Sequence, residues 1–251
     1  MILIVAGATF REAVRSRAFI GLLIIFAVCT ALSRIVGWVS STDGNIVTTD
    51  LVLSLQAVFG VLVAVATGTA LVQSEISSHT LYTVLSRPLA RWQFVVGKYL
   101  GLAAGLAVGQ ALMLAIALCY LAATGAAVHG WLVLAGCLTI VEVLLMAAVS
   151  LCLTALTSPL LATVLCLAMW AAGHAVATLP QLINHLQGWK LILAATLASV
   201  VPNLGSFTYR NEAVYRVPLE YADLAQRVGY GAAWIALLVT VTVITFRRKQ
   251  L

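Results

Sequence analysis

Six long apolar runs constrain this chain more than any other feature, because each is long enough to cross a bilayer as a helix. A spanning helix needs about 20 apolar residues to cross a hydrocarbon core of about 30 Å. The runs are continuous and rich in Leu, Ala and Val, without the alternation of a membrane β-barrel, and helices satisfy every backbone polar group inside lipid. With 63% hydrophobic and 9% charged residues, the sequence predicts an all-α integral membrane protein forming a single transmembrane domain over residues 1–251. The predicted spans are residues 18–39, 51–74, 93–123, 131–157, 160–179 and 228–246.

The distribution of basic residues predicts the orientation, because Lys and Arg are retained on the cytoplasmic side of spanning helices. An even number of spans places both termini on the same side of the membrane. If that side is the cytoplasm, nine of the 14 basic residues lie on the cytoplasmic side. We therefore expect a multi-pass protein of the inner (plasma) membrane with both termini in the cytoplasm. The net charge of +6 is explained by this orientation, and no nucleic-acid partner is expected. The nine residues are Arg11, Arg15, Arg17, Arg87, Arg91, Lys98, Arg247, Arg248 and Lys249.

The amino-terminal segment, residues 1–17, has an amphipathic pattern that predicts an interfacial helix on the cytoplasmic leaflet. Its apolar positions fall on one helical face, with Arg11 and Arg15 opposite. An ordinary charged flank to the first span is the alternative. The apolar stretch precedes the charges, which is the reverse of a cleaved signal peptide, so we expect the segment to be retained.

The connection between the second and third spans, residues 75–92, is too elaborate for a simple turn. Leu81, Val84 and Leu85 recur at helical spacing, and Pro88 ends the pattern. The sequence predicts a short amphipathic helix that either docks into a groove on another protein or lies passively on lipid.

Three motifs in and after this connection resemble the type-two (exporter-like) ABC permeases. They are Glu75-Ile-Ser-Ser-His-Thr-Leu, then Leu85-Ser-Arg-Pro-Leu-Ala-Arg-Trp, then Gly97-Lys-Tyr-Leu-Gly. His79 stands where glycine is common in that family. The resemblance also covers residues 10–12, the six-span layout and residues 202–210, so that it runs nearly from end to end. Within the family, the chain most resembles the permeases for multi-copper enzyme maturation.

The resemblance implies an exporter-like permease that works as a homodimer with a cytoplasmic ABC ATPase. The ATPase would bind and hydrolyse ATP with Mg²⁺, since this chain has no phosphate-binding loop. The chain itself is expected to be neither an enzyme nor a cofactor-binding protein. No catalytic residue and no metal ligand is predicted in this chain. The residues that the resemblance assigns to ATPase coupling are Arg11, Glu12, Glu75, Ser78, Thr80, Leu81, Val84, Leu85, Arg87, Pro88 and Arg91.

Glu142 lies near the middle of the fourth span, where a charged side chain costs about 2.5 to 3.5 kcal/mol. It needs a partner, and His174 on the fifth span and Arg34 on the first are the candidates. One interpretation gives Glu142 a role in substrate contact or gating along a translocation path. The other gives it a structural role, paired with another side chain or protonated. A proton-coupled secondary transporter using Glu142 and His174 is the alternative function, and an intramembrane enzyme is a further rival. A copper site from Cys166, Met169 and His174 is disfavoured, because these spacings do not converge on one helical face.

Gly97, Gly101, Gly105 and Gly109 repeat every four residues and predict that another helix approaches the third span closely. We expect packing within the subunit, with dimerisation as the alternative. Residues 180–227 form a long hydrated connection that is expected to be extracytoplasmic. The resemblance implies short helices here that cap the translocation path or bind a periplasmic partner, and a plain connection between two spans is the alternative.

Overall fold

The computed structural model is mostly helical over the part of the chain it describes, which comprises residues 1–39, 44–77, 91–182, 201–215 and 221–248. Six of its helices are long and apolar enough to cross a membrane, which confirms the predicted fold class. The helices are α1 (Ile2–Arg15), α2 (Arg17–Val39), α3 (Gly44–Ser77), α4 (Arg91–Ala123), α5 (Gly130–Leu156), α6 (Pro159–Leu182), a 3₁₀ helix (Leu204–Phe207), α7 (Arg210–Val214) and α8 (Tyr221–Arg248).

Two spans begin about seven residues earlier than the apolar pattern predicted, at Gly44 and Tyr221. The early part of α3 is polar, but its hydroxyl groups bond within the helix, with Thr48 and Thr49 donating to the carbonyls of Gly44 and Asn45. A helix satisfies its own backbone whether or not it is surrounded by lipid, so hydropathy underestimates its length. At 1.5 Å per residue, α3 is about 50 Å long, well beyond the hydrocarbon core.

The fourth span, α5, is the central helix of the bundle. It packs against α3, α4, α6 and α8, and its residues from 145 to 152 are all buried. Small side chains allow the close approach: Gly68 of α3 faces Ser150 of α5, with no room for a further methyl group. Packing of this kind and interhelical hydrogen bonds hold helices together in lipid, where the hydrophobic effect gives no preference for one helix over another.

Helices α3 and α4 are joined by a buried amide pair. The Nε2 of Gln56 donates to Oε1 of Gln110 over 3.3 Å, and both side chains are almost fully buried. Gly60 provides the space for the Gln110 amide. A polar pair in an apolar bundle fixes the register of the two helices, since a slip would leave both amides unpaired.

The amino-terminal helix α1 lies alongside α4, and the first three glycines of the predicted stripe form its contact surface. Gly97 faces Val5, Gly101 faces Ala6 and Thr9, and Gly105 faces Ala13, while Gly109 faces Phe19 at the start of α2. Residue numbers rise together on the two helices, so α1 runs parallel to α4. The structure thus packs α1 closely along the third span, and its placement at the membrane interface stays a prediction.

Residues 201–215, the cap segment, fold onto the end of the bundle where α3 begins and α6 ends, which we call the capped end. Leu204 and Phe207 are fully buried, and Leu204 and the Pro202 carbonyl rest on Gly173 of α6. The Asn203 backbone N–H donates to the hydroxyl of Tyr230 over 2.9 Å, which ties the segment to α8. This part of the predicted 180–227 connection is thus built into the bundle between α3, α5, α6 and α8.

Candidate functional site

Glu142 is the one carboxylate that the described structure buries inside the bundle. It lies 12 residues from the start of α5, about 18 Å along the helix, and is only 2% exposed. The indole Nε1 of Trp170 donates to Oε1 over 2.8 Å, and Nε2 of His174 lies 2.9 Å from the same oxygen. Trp170 and His174 are one turn apart on α6 and meet edge to face, with ring centroids 5.2 Å apart. Both contacts use Oε1, and Oε2 takes part in neither.

A cavity of about 360 Å³ adjoins this cluster. Its inner wall is α5, its sides are α3 and α6, and Thr208–Arg210 of the cap segment close it toward the capped end. At the mouth, Val58 is 37% exposed and the His174 side chain 33% exposed, so the cavity opens sideways between α3 and α6. The lining residues are Leu53, Ser54, Ala57, Val58, Ala135, Thr139, Glu142, Trp170, Ala171, His174, Thr208, Tyr209 and Arg210.

Arg210 supplies the positive charge at the rim of the cavity. Its Nη1 donates to Oγ of Ser54 over 2.7 Å, and its Nε lies 3.5 Å from Oδ1 of Asp50, which forms an ion pair with it. Within the part of the chain that the structure describes, neither Nε nor that oxygen makes a hydrogen bond. Burial, followed by the neighbouring Glu212, raises the pKa of the Tyr209 phenol beside it, so the phenol stays protonated at neutral pH.

The arrangement gives the cavity an apolar wall with one buried acid, whose only described partners are two nitrogen groups. A carboxylate in such surroundings attracts a cation strongly, because little water is present to screen it. Among the described residues, no three His, Cys, Asp or Glu side chains are grouped as metal ligands. What the described side chains offer is a binding surface beside one buried acid.

The structure separates the two predicted partners of Glu142. His174 contacts it, but Arg34 does not line the cavity and instead donates to Oδ1 of Asn45 over 3.0 Å near the capped end. Arg34 is thus not the partner of this carboxylate. The sequence alone could not tell the two apart, because both lie on spans whose neighbours are set only by the fold.

Most of the predicted coupling residues lie outside the described residues: Ser78, Thr80, Leu81, Val84, Leu85, Arg87 and Pro88. The backbone of Glu75 belongs to the last turn of α3, and that of Arg91 begins α4. Arg11 and Glu12 lie on the exposed side of α1, away from the glycine stripe.

Three residues at the cavity were missed by sequence reasoning: Trp170, Asp50 and Arg210. Trp170 did carry a signal, because it lies too deep in its span for the interfacial aromatic belt, where tryptophan is usually found. A deep tryptophan needs a buried acceptor for its N–H, and Glu142 is that acceptor. Arg210 ends the stretch 202–210 that resembles the permease family, but a basic residue in a long connection gave no reason to place it at this cavity.

Comparison with known protein families decides the affiliation of this bundle. A family model described as "ABC-2 family transporter protein" matches residues 3–251, almost the whole chain. The chain belongs to the ABC-2 transporter family. This agrees with the type-two ABC permease resemblance of the motifs around Glu75 and Gly97. A search of curated proteins gave no significant match.

As an ABC-2 family member, the protein is a multi-pass membrane component of a transporter and is not itself an enzyme. The cavity beside Glu142 is then a cavity in the membrane component of a transporter.

Proposed function

We propose that this ABC-2 family protein is the permease subunit of an exporter, and that the cavity at Glu142 lies on its translocation path. The observation that carries the proposal is the buried Glu142–Trp170–His174 cluster at the base of a cavity that opens between α3 and α6. Burying a carboxylate in a spanning helix is costly, and such residues characteristically mark substrate or ion pathways. The cap segment closes the cavity toward one end, as a gate would.

A separate cytoplasmic ABC ATPase would drive the cycle by binding and hydrolysing ATP with Mg²⁺. It would contact the end of the bundle where α3 ends and α4 begins, which bears Glu75 and Arg91. Helix α1 packs along α4 through the glycine stripe, so a force on the start of α4 is passed to α1 and to α2 behind it. A second copy of the chain would complete the transporter in the inner membrane, with both termini cytoplasmic. A periplasmic partner at 180–227 and a role in multi-copper enzyme maturation are finer hypotheses that follow from the resemblance.

Affinity co-purification from native membranes tests the ATPase partner. The tagged chain should retain a soluble protein with a phosphate-binding loop, and Leu81→Asp with Leu85→Asp should release it. Ser158→Asp is the matched control, because it adds a carboxylate to the exposed turn between α5 and α6 at the same end of the bundle. Native mass spectrometry of the same sample should give two copies of the chain. If no ATPase is recovered after mild crosslinking, the exporter proposal fails.

The contact between Glu142 and His174, 2.9 Å long, also favours a second candidate, a proton-coupled secondary transporter. An acid and an imidazole within hydrogen-bond distance can pass a proton between them. Transport in sealed vesicles separates the two functions: a pH gradient alone drives the secondary transporter, whereas the exporter requires ATP and its partner.

A further inference from the structure

The cavity beside Glu142 has a charge balance that indicates what it binds. Among the described residues, Glu142 of α5 and Arg210 of the cap segment are the charged side chains that line it, and Asp50 of α3 lies beside Arg210 at the rim. Arg210 is held by Asp50 and Ser54, so these two charges offset each other. Glu142 remains, with a neutral N–H donor from Trp170 and an imidazole whose own charge depends on a proton.

A carboxylate that is 2% exposed requires a counter-charge, because an isolated ion in an apolar interior loses most of its solvation. A proton on His174 or on Glu142 itself is one source. A cationic ligand in the adjoining cavity is the other, and the geometry provides for it. The hydrogen bonds from Trp170 and His174 converge on Oε1, which leaves Oε2 for a third donor.

The walls of the cavity define the rest of the ligand. Leu53, Ala57, Val58 and Ala135 form an apolar surface, and Trp170 adds an aromatic wall next to the carboxylate. Aromatic faces and carboxylates together recognise organic ammonium groups. A volume of about 360 Å³ is at the lower end for small-molecule sites and holds about a dozen non-hydrogen atoms, taking about 30 Å³ for each.

We propose that this cavity is a binding site for a compact lipophilic organic cation, whose ammonium group donates to Glu142 and whose apolar body lies between α3 and α6. The mouth at Val58 and His174 opens on the side of the bundle, so the ligand enters from the membrane interior. The inference gives a substrate class to the translocation path proposed above and rests on that function. Its test measures binding alone and needs no ATPase.

The probes are 1-adamantylammonium, its neutral isostere 1-adamantanol, and adamantane-1-carboxylate, titrated by calorimetry into the full chain in zwitterionic lipid nanodiscs. Titration into empty nanodiscs corrects for partition into lipid. We expect the ammonium probe to bind at least tenfold more tightly than the alcohol, because a charge-assisted hydrogen bond to a buried carboxylate replaces a neutral one. Glu142→Gln should abolish this preference, whereas Asp223→Asn, which removes an exposed acid of α8, should leave it unchanged.

A second variant guards against a folding defect in Glu142→Gln. Ala57→Phe fills the cavity from α3 and should weaken both the ammonium and the alcohol at least tenfold without touching the carboxylate. Equal binding of the ammonium and the alcohol, tightest binding of the carboxylate probe, or no binding of any probe would each overturn the site. Recovery of no ATPase in the co-purification would overturn the exporter mechanism. It would not change the measured ratio of ammonium to alcohol binding, so the two failures can be told apart.

Discussion

The packing of α1 on α4 predicts a specific effect for Gly101→Val. A Cβ at this position would collide with the carbonyl oxygen of Ala6 and lie 2.7 Å from Cβ of Thr9. The carbonyl oxygen is part of the α1 backbone and cannot rotate away as a side chain can. The helix must therefore move off α4 to make room.

The expected size of the effect follows from two opposing terms. Overpacking a close contact costs about 1 to 3 kcal/mol. Replacing glycine by valine inside a helix returns about 0.4 kcal/mol of propensity. The net loss is about 0.6 to 2.6 kcal/mol in the docking of α1, which corresponds to a roughly 3- to 80-fold increase in the undocked population.

Thiol labelling measures that population directly. Ala13→Cys places a thiol at a position that is 2% exposed and faces Gly105. Its rate of reaction with N-ethylmaleimide, followed by mass spectrometry of the peptide that contains it, should rise roughly 3- to 80-fold when Gly101→Val is added. Gly7→Val is the matched control, since nothing lies within 4 Å of a Cβ there, and it should change the rate less than twofold. An unchanged rate in Gly101→Val, or an equal rise in both variants, would refute the role assigned to the glycine stripe.

Two further predictions concern other contacts in the bundle. Gln110→Leu leaves the Gln56 amide unpaired and should lower the free energy of unfolding in detergent by about 1 to 3 kcal/mol. Adding Gln56→Leu should restore most of that loss. A double variant no more stable than Gln110→Leu alone would contradict the pairing argument. Gly173→Val pushes against Leu204 and should raise the rate at which maleimide labels a Phe207→Cys thiol at least fivefold. Gly229→Val is the control, with nothing within 4 Å of an added Cβ, and should leave that rate unchanged. Equal labelling rates in the two variants would mean that the cap segment is not held by α6.

Much of the fold could be predicted because hydropathy reports the solvent around each segment. The six spans, the turn at Pro159 and the buried position of Glu142 follow from local composition. Helix ends were less predictable, since α3 continues to Gly44 through polar residues that bond within the helix. The glycine stripe predicted a close contact but not its partner, because the spacing describes one surface and α1, another span or a second copy would all fit it.

The candidate site divides in the same way. Glu142 could be singled out from sequence because an acid within an apolar run is rare and costly. The sequence could not choose between Arg34 and His174 as its partner. In the structure α6 packs on α5, so that His174 contacts Glu142, whereas Arg34 bonds to Asn45. The cap segment was foreseen only as one alternative, because its burial depends on Gly173 and Gly231 providing space on two distant helices.

The sequence by itself determined that this chain spans a membrane with six helices. Its motifs also placed it among the ABC permeases. Both properties depend on one segment at a time, since transfer into lipid and backbone hydrogen bonding are local. Only the tertiary structure decided which helices touch, that α1 runs along the glycine stripe, and that Trp170, His174 and Arg210 surround one cavity. Apolar helices are nearly interchangeable to lipid, so small steric fits and single polar contacts choose among their arrangements.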